Sequence, residues 1–217
     1  MKSNNHIKHK KRVADHGEVF TSNKEVISML DLVAQETQRI DSRFLEPACG
    51  NGNFLAKILE KKLIIAAKDY KKSQINFEQN ALIAVSSIYG IDILQDNVQE
   101  CRQRLLDIFT NKYQKIYKDQ ANKIYLENIK FILSKNILWG DALTLKKIDN
   151  NQPITFCEWS GVNGSMIKRK DYELANLLAY RPFDGPSLFS DLGEEVLIPK
   201  AKKEYPLIHF MELQKYD

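Results

Sequence analysis

The sequence predicts an α/β fold on a parallel sheet, and three observations carry that expectation. Short apolar runs at Arg43–Pro47, Ser87–Ile93, Asn136–Trp139 and Ile154–Trp159 have the length of buried strands. Longer segments with apolar residues at helical spacing separate the first three, and such alternation implies parallel strands joined by helices. The run Phe44-Leu45-Glu46 ends in an acidic residue, passes through Pro47-Ala48-Cys49-Gly50-Asn51-Gly52, and restarts as the apolar helix Asn53-Phe54-Leu55. That order is a strand, a tight turn and a helix start.

Residues 1–15 read as a flexible basic arm carrying Lys8, Lys10, Lys11 and Arg12. Such a run is either a solvated tail or an arm that contacts phosphates. Residues 16–217 read as a single domain, with 180–217 as its loop-rich C-terminal part. A turn at His16–Thr21 leads into a helix capped by Ser22 or Asn23 and running to about Asp41, with Val26, Ile27, Leu30, Leu32, Val33 and Ile40 along it. The helix that opens near Asn53 carries Phe54, Leu55, Ile58 and Leu59, residues 68–78 read as a polar connection, and a helix resumes from Phe77 to Ser86. After the second strand a long helix begins at Asp96 and extends toward the Lys/Tyr-rich segment 112–120; another, Asn122–Leu133, precedes the third strand. Met166–Tyr180 is expected to be helical, 181–206 extended loop, and Leu207–Leu213 a last short element.

Composition narrows the function classes. The chain has 217 residues, 43% hydrophobic and 28% charged, which is ordinary for a soluble domain. No apolar run approaches the roughly 20 residues that span a bilayer. The N-terminus lacks the apolar segment of a secretory leader. Cys49, Cys101 and Cys157 are scattered, so neither a disulfide framework nor a metal site is expected, and a reducing cytoplasm fits. The net charge of +4 is compatible with a nucleic-acid partner.

Function is read chiefly from the glycine turn. Glycines allow backbone to approach a ligand without an intervening Cβ, and N–H groups at the following helix start favour an anionic or carboxylate-bearing ligand. The dinucleotide fingerprint Gly-x-Gly-x-x-Gly is absent, which disfavours NAD. The string Glu46-Pro47-Ala48-Cys49-Gly50-Asn51-Gly52-Asn53-Phe54 closely resembles the S-adenosylmethionine (SAM) loop of N6-adenine DNA methyltransferases of restriction–modification systems. Three further elements stand in the order that family has them: Gly17-Glu18-Val19-Phe20-Thr21, Tyr89-Gly90-Ile91-Asp92-Ile93 and Gly140-Asp141-Ala142-Leu143. Together they cover roughly residues 16–145, about two thirds of the chain.

The resemblance implies a Rossmann-like class I SAM-dependent methyltransferase fold, shortened at its C-terminal end, with SAM as cofactor and no metal. It implies that Val19, Phe20 and Thr21 lie over the methionine end of SAM. Glu46 would face its amino group, and Pro47, Ala48, Cys49, Gly50, Gly52, Asn53 and Phe54 would surround the methionine. Asp92 and Ile93 would hold the ribose, and Asp141 and Ala142 the adenine amino group. Read from the residues alone, Thr21 and Asp92 are also plain helix caps, Asp141 a strand-to-turn residue and Cys49 a small filler. The interval from the glycine loop to Asp92 is roughly twice the usual spacing of about 20 residues.

One part of the family pattern is missing. The tetrapeptide Asn/Asp-Pro-Pro-Tyr/Phe, which orients the flipped target base, occurs nowhere in the chain. At the corresponding place stands Phe156-Cys157-Glu158-Trp159-Ser160-Gly161. Glu158 is the candidate to accept a hydrogen bond from the base amino group and Trp159 the candidate to stack on the base. The plain alternative puts Phe156 and Trp159 in the core and Glu158 or Ser160 at the solvent edge. Three functions therefore stand: an adenine-type DNA methyltransferase, a catalytically impaired SAM-binding subunit or regulator of a DNA-modification complex, and a methyltransferase for RNA, protein or a small molecule. The expected partners are DNA, directly or through a partner subunit, and a protein partner or a second copy of the chain; no membrane is expected.

Overall fold

The three apolar runs that end in Glu46, Asp92 and near Asp141 form the parallel strands the sequence predicts. The computed structural model describes Thr21, residues 23–179 and residues 200–216. The basic arm, Val19, Phe20, Ser22 and the stretch 180–199 lie outside the described residues. Strands β1 (Phe44–Glu46), β2 (Ile88–Asp92) and β3 (Ile137–Asp141) lie side by side and parallel, with Glu46 opposite Gly90 and Asp92 opposite Trp139. The short strand β4 (Lys146–Lys147) closes this sheet antiparallel to β3. The chain is thus a mixed α/β protein.

The helices follow their apolar stripes. Helix α1 (Asn23–Leu32) buries Val26 and Leu30 and stops at Leu32; a separate short helix α2 (Ala34–Thr37) replaces the continuous run to Asp41. Leu32 and Val33 are exposed, so no buried stripe carries the helix through that point. The polar stretch 68–78 is mostly helix, not connection: α3 (Asn53–Tyr70) and α4 (Gln74–Ser86) meet at a tight turn, with Ser73 Oγ accepting the Asn76 N–H at 3.4 Å. Helix α5 (Gln95–Tyr117) buries Val98, Cys101, Leu105, Phe109 and Tyr113, a three-or-four-residue repeat along one face. Asn122 caps α6 (Lys123–Asn136) by accepting the Ile124 and Tyr125 N–H groups. Phe77, Phe109, Tyr113 and Tyr125 pack between these helices. The buried Glu78 carboxylate there accepts from Tyr113 Oη and from Gln74 at 2.8 Å.

The region after β4 departs from expectation. The fourth run forms β5 (Thr155–Val162), but it pairs antiparallel with β6 (Met166–Glu173) instead of extending the parallel sheet. The sequence predicts a helix over Met166–Tyr180; only α7 (Leu174–Ala179) is helical within it. The hairpin turn holds Asn163 at φ 46° and Gly164 at φ 76°, the pair of residue types that reverses strands most readily. Strands β7 (Lys203–Glu204) and β8 (Ile208–His209) both add to β6. This second sheet is fastened to the first through Tyr89 Oη, which donates to the Cys157 carbonyl at 3.0 Å, and through the Arg43–Glu158 ion pair. Among the described residues no helix is long and apolar enough to cross a membrane.

Candidate functional site

Each parallel strand ends on a carboxylate: Glu46 on β1, Asp92 on β2 and Asp141 on β3. In parallel α/β sheets the crevice outside the carboxyl ends of the strands is where ligands bind. Here the loops after β1, β2 and β3 enclose a cavity of about 540 Å³. Glu46, Pro47, Ala48, Cys49 and Gly50 line it from the first loop, with Asn53 and Phe54 from the start of α3. Asp92 and Ile93 line it from the second loop, Asp141 and Ala142 from the third, and Thr21 from the chain ahead of α1. Of the described residues read as cofactor-binding, only Gly52 stands back from the lining.

The glycine loop is held by tight packing and by one long-range hydrogen bond. Gly52 has φ +84°, and a Cβ there would come within 2.6 Å of Cys101 Sγ on α5. Both the conformation and the space therefore demand glycine. The Gly50 N–H donates to Asp92 Oδ2 at 2.8 Å, and Cys49 N–H donates to the Ile91 carbonyl at 2.9 Å, so the loop is stitched to the end of β2. The Cys49 thiol pKa is raised by hydrogen bonding with Cys101 and by burial, which makes it a poor nucleophile and a fitting filler. At the N-cap of α3, Gly52 has no side chain to accept the first-turn N–H groups. Those donors stand beside Asn53 and Phe54 at the cavity wall, an arrangement suited to a carboxylate.

The three carboxylates differ in electrostatics. Burial raises the pKa of Glu46, partly offset by a hydrogen bond from the Ala48 backbone. Asp141 is held below the usual carboxylate range by the Leu143 N–H at 2.8 Å and the Thr144 hydroxyl at 3.0 Å. Asp92 is almost buried and accepts from the Leu94 N–H at 2.9 Å and Asn97 Nδ2 at 3.2 Å besides Gly50. The mouth is apolar: Met29, Ile93 and Leu143 border the cavity with 48%, 46% and 94% of their surface exposed, more than a folded chain leaves open at interior faces.

Some lining residues carry no sequence signal. Met29 sits on the exposed side of an ordinary amphipathic helix, and Leu94 follows the strand end as one more apolar residue. Asn51 and Gly140 stand inside the motifs but have no assigned role in the resemblance, and Asn97 follows the Asp92 motif in the first turn of α5. Asn51 and Asn53 are braced by Arg104 of α5, whose guanidinium donates to both side-chain oxygens.

Glu158 and Trp159 are not brought to this cavity. Trp159 is 5% exposed, and its Nε1 donates to Asn136 Oδ1 at 3.1 Å; Asn136 Nδ2 in turn donates to the Ser86 and Ile88 carbonyls. That is a core position, and the reading of Trp159 as a base-stacking residue is corrected accordingly. Glu158 is paired with Arg43 and lines a separate cavity of about 370 Å³ with Phe44, Tyr89, Phe156 and Leu178. It misses the glycine-loop cavity because β5 turns away into the second sheet. The chain matches no family model, no curated protein and no solved structure.

Proposed function

We propose that the cavity over the glycine loop binds SAM and that the chain is a Rossmann-like methyltransferase-type protein of DNA modification. The observation that carries this reading is convergence. Residues read from four separate stretches of sequence, up to 120 positions apart between Thr21 and Asp141, line one cavity at the carboxyl ends of three parallel strands. The chemistry of the lining fits the ligand. The α3 start and Glu46 suit a zwitterionic amino-acid end, Asp92 suits ribose hydroxyls, and Ile93, Leu143 and the Asp141 turn suit a purine with an exocyclic amine. When bound, SAM would supply an electrophilic methyl group for transfer to an acceptor nitrogen. The residues of this chain bind and orient it; no covalent enzyme intermediate is required.

A second reading, a SAM-binding subunit or regulator without catalysis of its own, is favoured by two specific observations. Neither Glu158 nor Trp159 lines the cavity, and among the described residues β1 pairs only with β2, leaving its other edge for a further strand. Calorimetric titration with SAM and with S-adenosylhomocysteine tests the cofactor assignment. Micromolar binding supports it, and the absence of saturable heat from folded protein removes it. Methyl transfer to DNA by the chain alone then separates the enzyme from the subunit.

A further inference from the structure

A polar cleft of about 370 Å³ lies between α5, the end of α6, β3–β4 and the β5–β6 hairpin, and it shares no residue with the glycine-loop cavity. Four cations line it, Arg102, Lys135, Lys147 and Arg169, against two carboxylates, Asp149 and Asp171. Arg169 is 5% exposed, on the face of β6 that points inward. Its Nε and Nη2 form a fork onto the Asp171 carboxylate at 2.8 and 3.0 Å. Tyr205, with its ring centre 4.3 Å from the guanidinium carbon, covers one face, and its hydroxyl also donates to Asp171 at 3.1 Å. These contacts fix the guanidinium and occupy the carboxylate. Nη1 remains buried with no acceptor among the described residues.

A buried guanidinium donor without a partner is costly, and structures keep few of them. No described residue supplies that acceptor, and Arg169 lines a cleft whose walls are mostly polar. Arg102 donates from Nε and Nη2 to the Ser134 and Ile137 carbonyls, where its charge partly offsets the negative end of α6. Lys135 and Lys147 add charge from two other elements, and the Gln99 side chain adds a neutral donor. The cleft therefore wants an acceptor-only group of two or three oxygens with more than one negative charge.

We propose that this cleft binds a phosphate group, with Arg169 Nη1 donating to one oxygen and Lys135 and Lys147 supplying the countercharge. A carboxylate would satisfy one donor direction, whereas the tetrahedral oxygens of a phosphate address the several elements that converge here. The volume admits it: at about 30 Å³ per water, the cleft has room for a phosphate and a partial water shell. The proposal does not depend on the reading of the glycine-loop cavity.

The test is calorimetric titration of the full chain with inorganic phosphate at constant ionic strength, set against Lys147→Ala and Arg169→Gln. Saturable binding at millimolar phosphate is expected, weakened at least fivefold by Lys147→Ala and lost in Arg169→Gln. Should Arg169→Gln fail to fold, the double variant Lys135→Ala/Lys147→Ala removes the countercharge from the surface side and should lose phosphate binding equally. SAM affinity should not change in Lys147→Ala, which keeps the two sites distinguishable. A second arm uses a short single-stranded deoxyoligonucleotide. If phosphate displaces it and Lys147→Ala weakens it, the phosphate is that of a nucleic-acid backbone. If phosphate binds and the oligonucleotide is indifferent to Lys147→Ala, the ligand is a free phosphate monoester. No saturable binding of either probe, or equal phosphate binding by wild type and the double variant, overturns the proposal.

Discussion

The Gly50 N–H reaches Asp92 Oδ2 at 2.8 Å across 42 positions of sequence, so the carboxylate that ends β2 also holds the loop that follows β1. With Leu94 N–H and Asn97 Nδ2 on Oδ1, Asp92 accepts three hydrogen bonds from its own chain. A carboxylate has about four lone-pair sites, so acceptor capacity remains for a ligand hydroxyl. Asp92 then has two jobs, shaping the loop and meeting the ligand, and substitution should report both.

Asp92→Ala is expected to weaken SAM binding by at least tenfold and to lower stability by about 1–3 kcal/mol, since buried donors lose their acceptor. The decisive measurement pairs a SAM titration with a urea midpoint on the same preparation. A folded Asp92→Ala protein that binds SAM as tightly as wild type would remove Asp92 from the ligand and leave it only the loop.

Trp159 makes the opposite prediction. Its indole lies in the core against Phe131 and Tyr216, and its N–H holds the Asn136 side chain that bridges to β2. Trp159→Ala should cost about 3–5 kcal/mol through lost burial and a void. Trp159→Phe keeps most of the volume but strands Asn136 Oδ1, and should cost about 1–3 kcal/mol. Denaturant midpoints check both values. A Trp159→Phe variant with wild-type stability but altered methyl transfer would return the residue to the catalytic reading.

How far the sequence could be read depended on whether a local pattern determines a local outcome. Strand, glycine turn and helix start at Phe44–Leu55 are fixed by neighbours in the chain, and each parallel strand announces its end with a carboxylate. The β5–β6 hairpin is different. Ile167, Arg169 and Asp171 form the buried face of β6, and two of those three are charged, so alternation of hydrophobicity is hidden by an ion pair. The Asn163-Gly164 turn was the available signal. Without it the apolar run at Ile154–Trp159 looks like one more parallel strand, and Glu158 and Trp159 are assigned to the wrong surface. Which sheet a strand joins is a long-range property that its own residues do not encode.

Gly52 offers a test of the loop packing. A methyl group at this position would meet Cys101 Sγ at 2.6 Å, in a backbone conformation that L residues rarely adopt. Gly52→Ala should destabilise by about 1–3 kcal/mol and weaken SAM binding by loosening the loop. Adding Cys101→Ala removes the sulfur but not the backbone strain, so the double variant should recover part of the loss. A double-mutant cycle measures that recovery, and strict additivity of the two substitutions would mean that Cys101 does not set the loop position.

Lys62 gives the fold a pH dependence whose sign follows from burial. Its ammonium is fully buried and donates to the Ile40 carbonyl at 3.0 Å, the Ser42 carbonyl and the Ser87 hydroxyl, joining the entries to β1 and β2. Burial lowers its pKa to about 7, against the pull of Asp41 and Glu36, while an unfolded lysine stays at about 10.4. Below pH 7 both states carry the proton, and the folded state bears the full cost of burying charge. Between pH 7 and about 10 the unfolded chain keeps a proton that the fold has released, so stability rises with pH, by up to about 1.4 kcal/mol per unit. Above that window the sign reverses, because burial keeps Tyr113, with its pKa pushed up to about 12, and Tyr89 protonated where the unfolded chain ionises. Urea midpoints at half-unit steps from about pH 6.5 to 10 should show the rise in wild type. Lys62→Met should flatten it, while starting less stable because the two carbonyls lose their donor. If wild type and Lys62→Met instead run parallel across that range, the buried ammonium keeps its charge through the three hydrogen bonds, and the alkaline gain has another source.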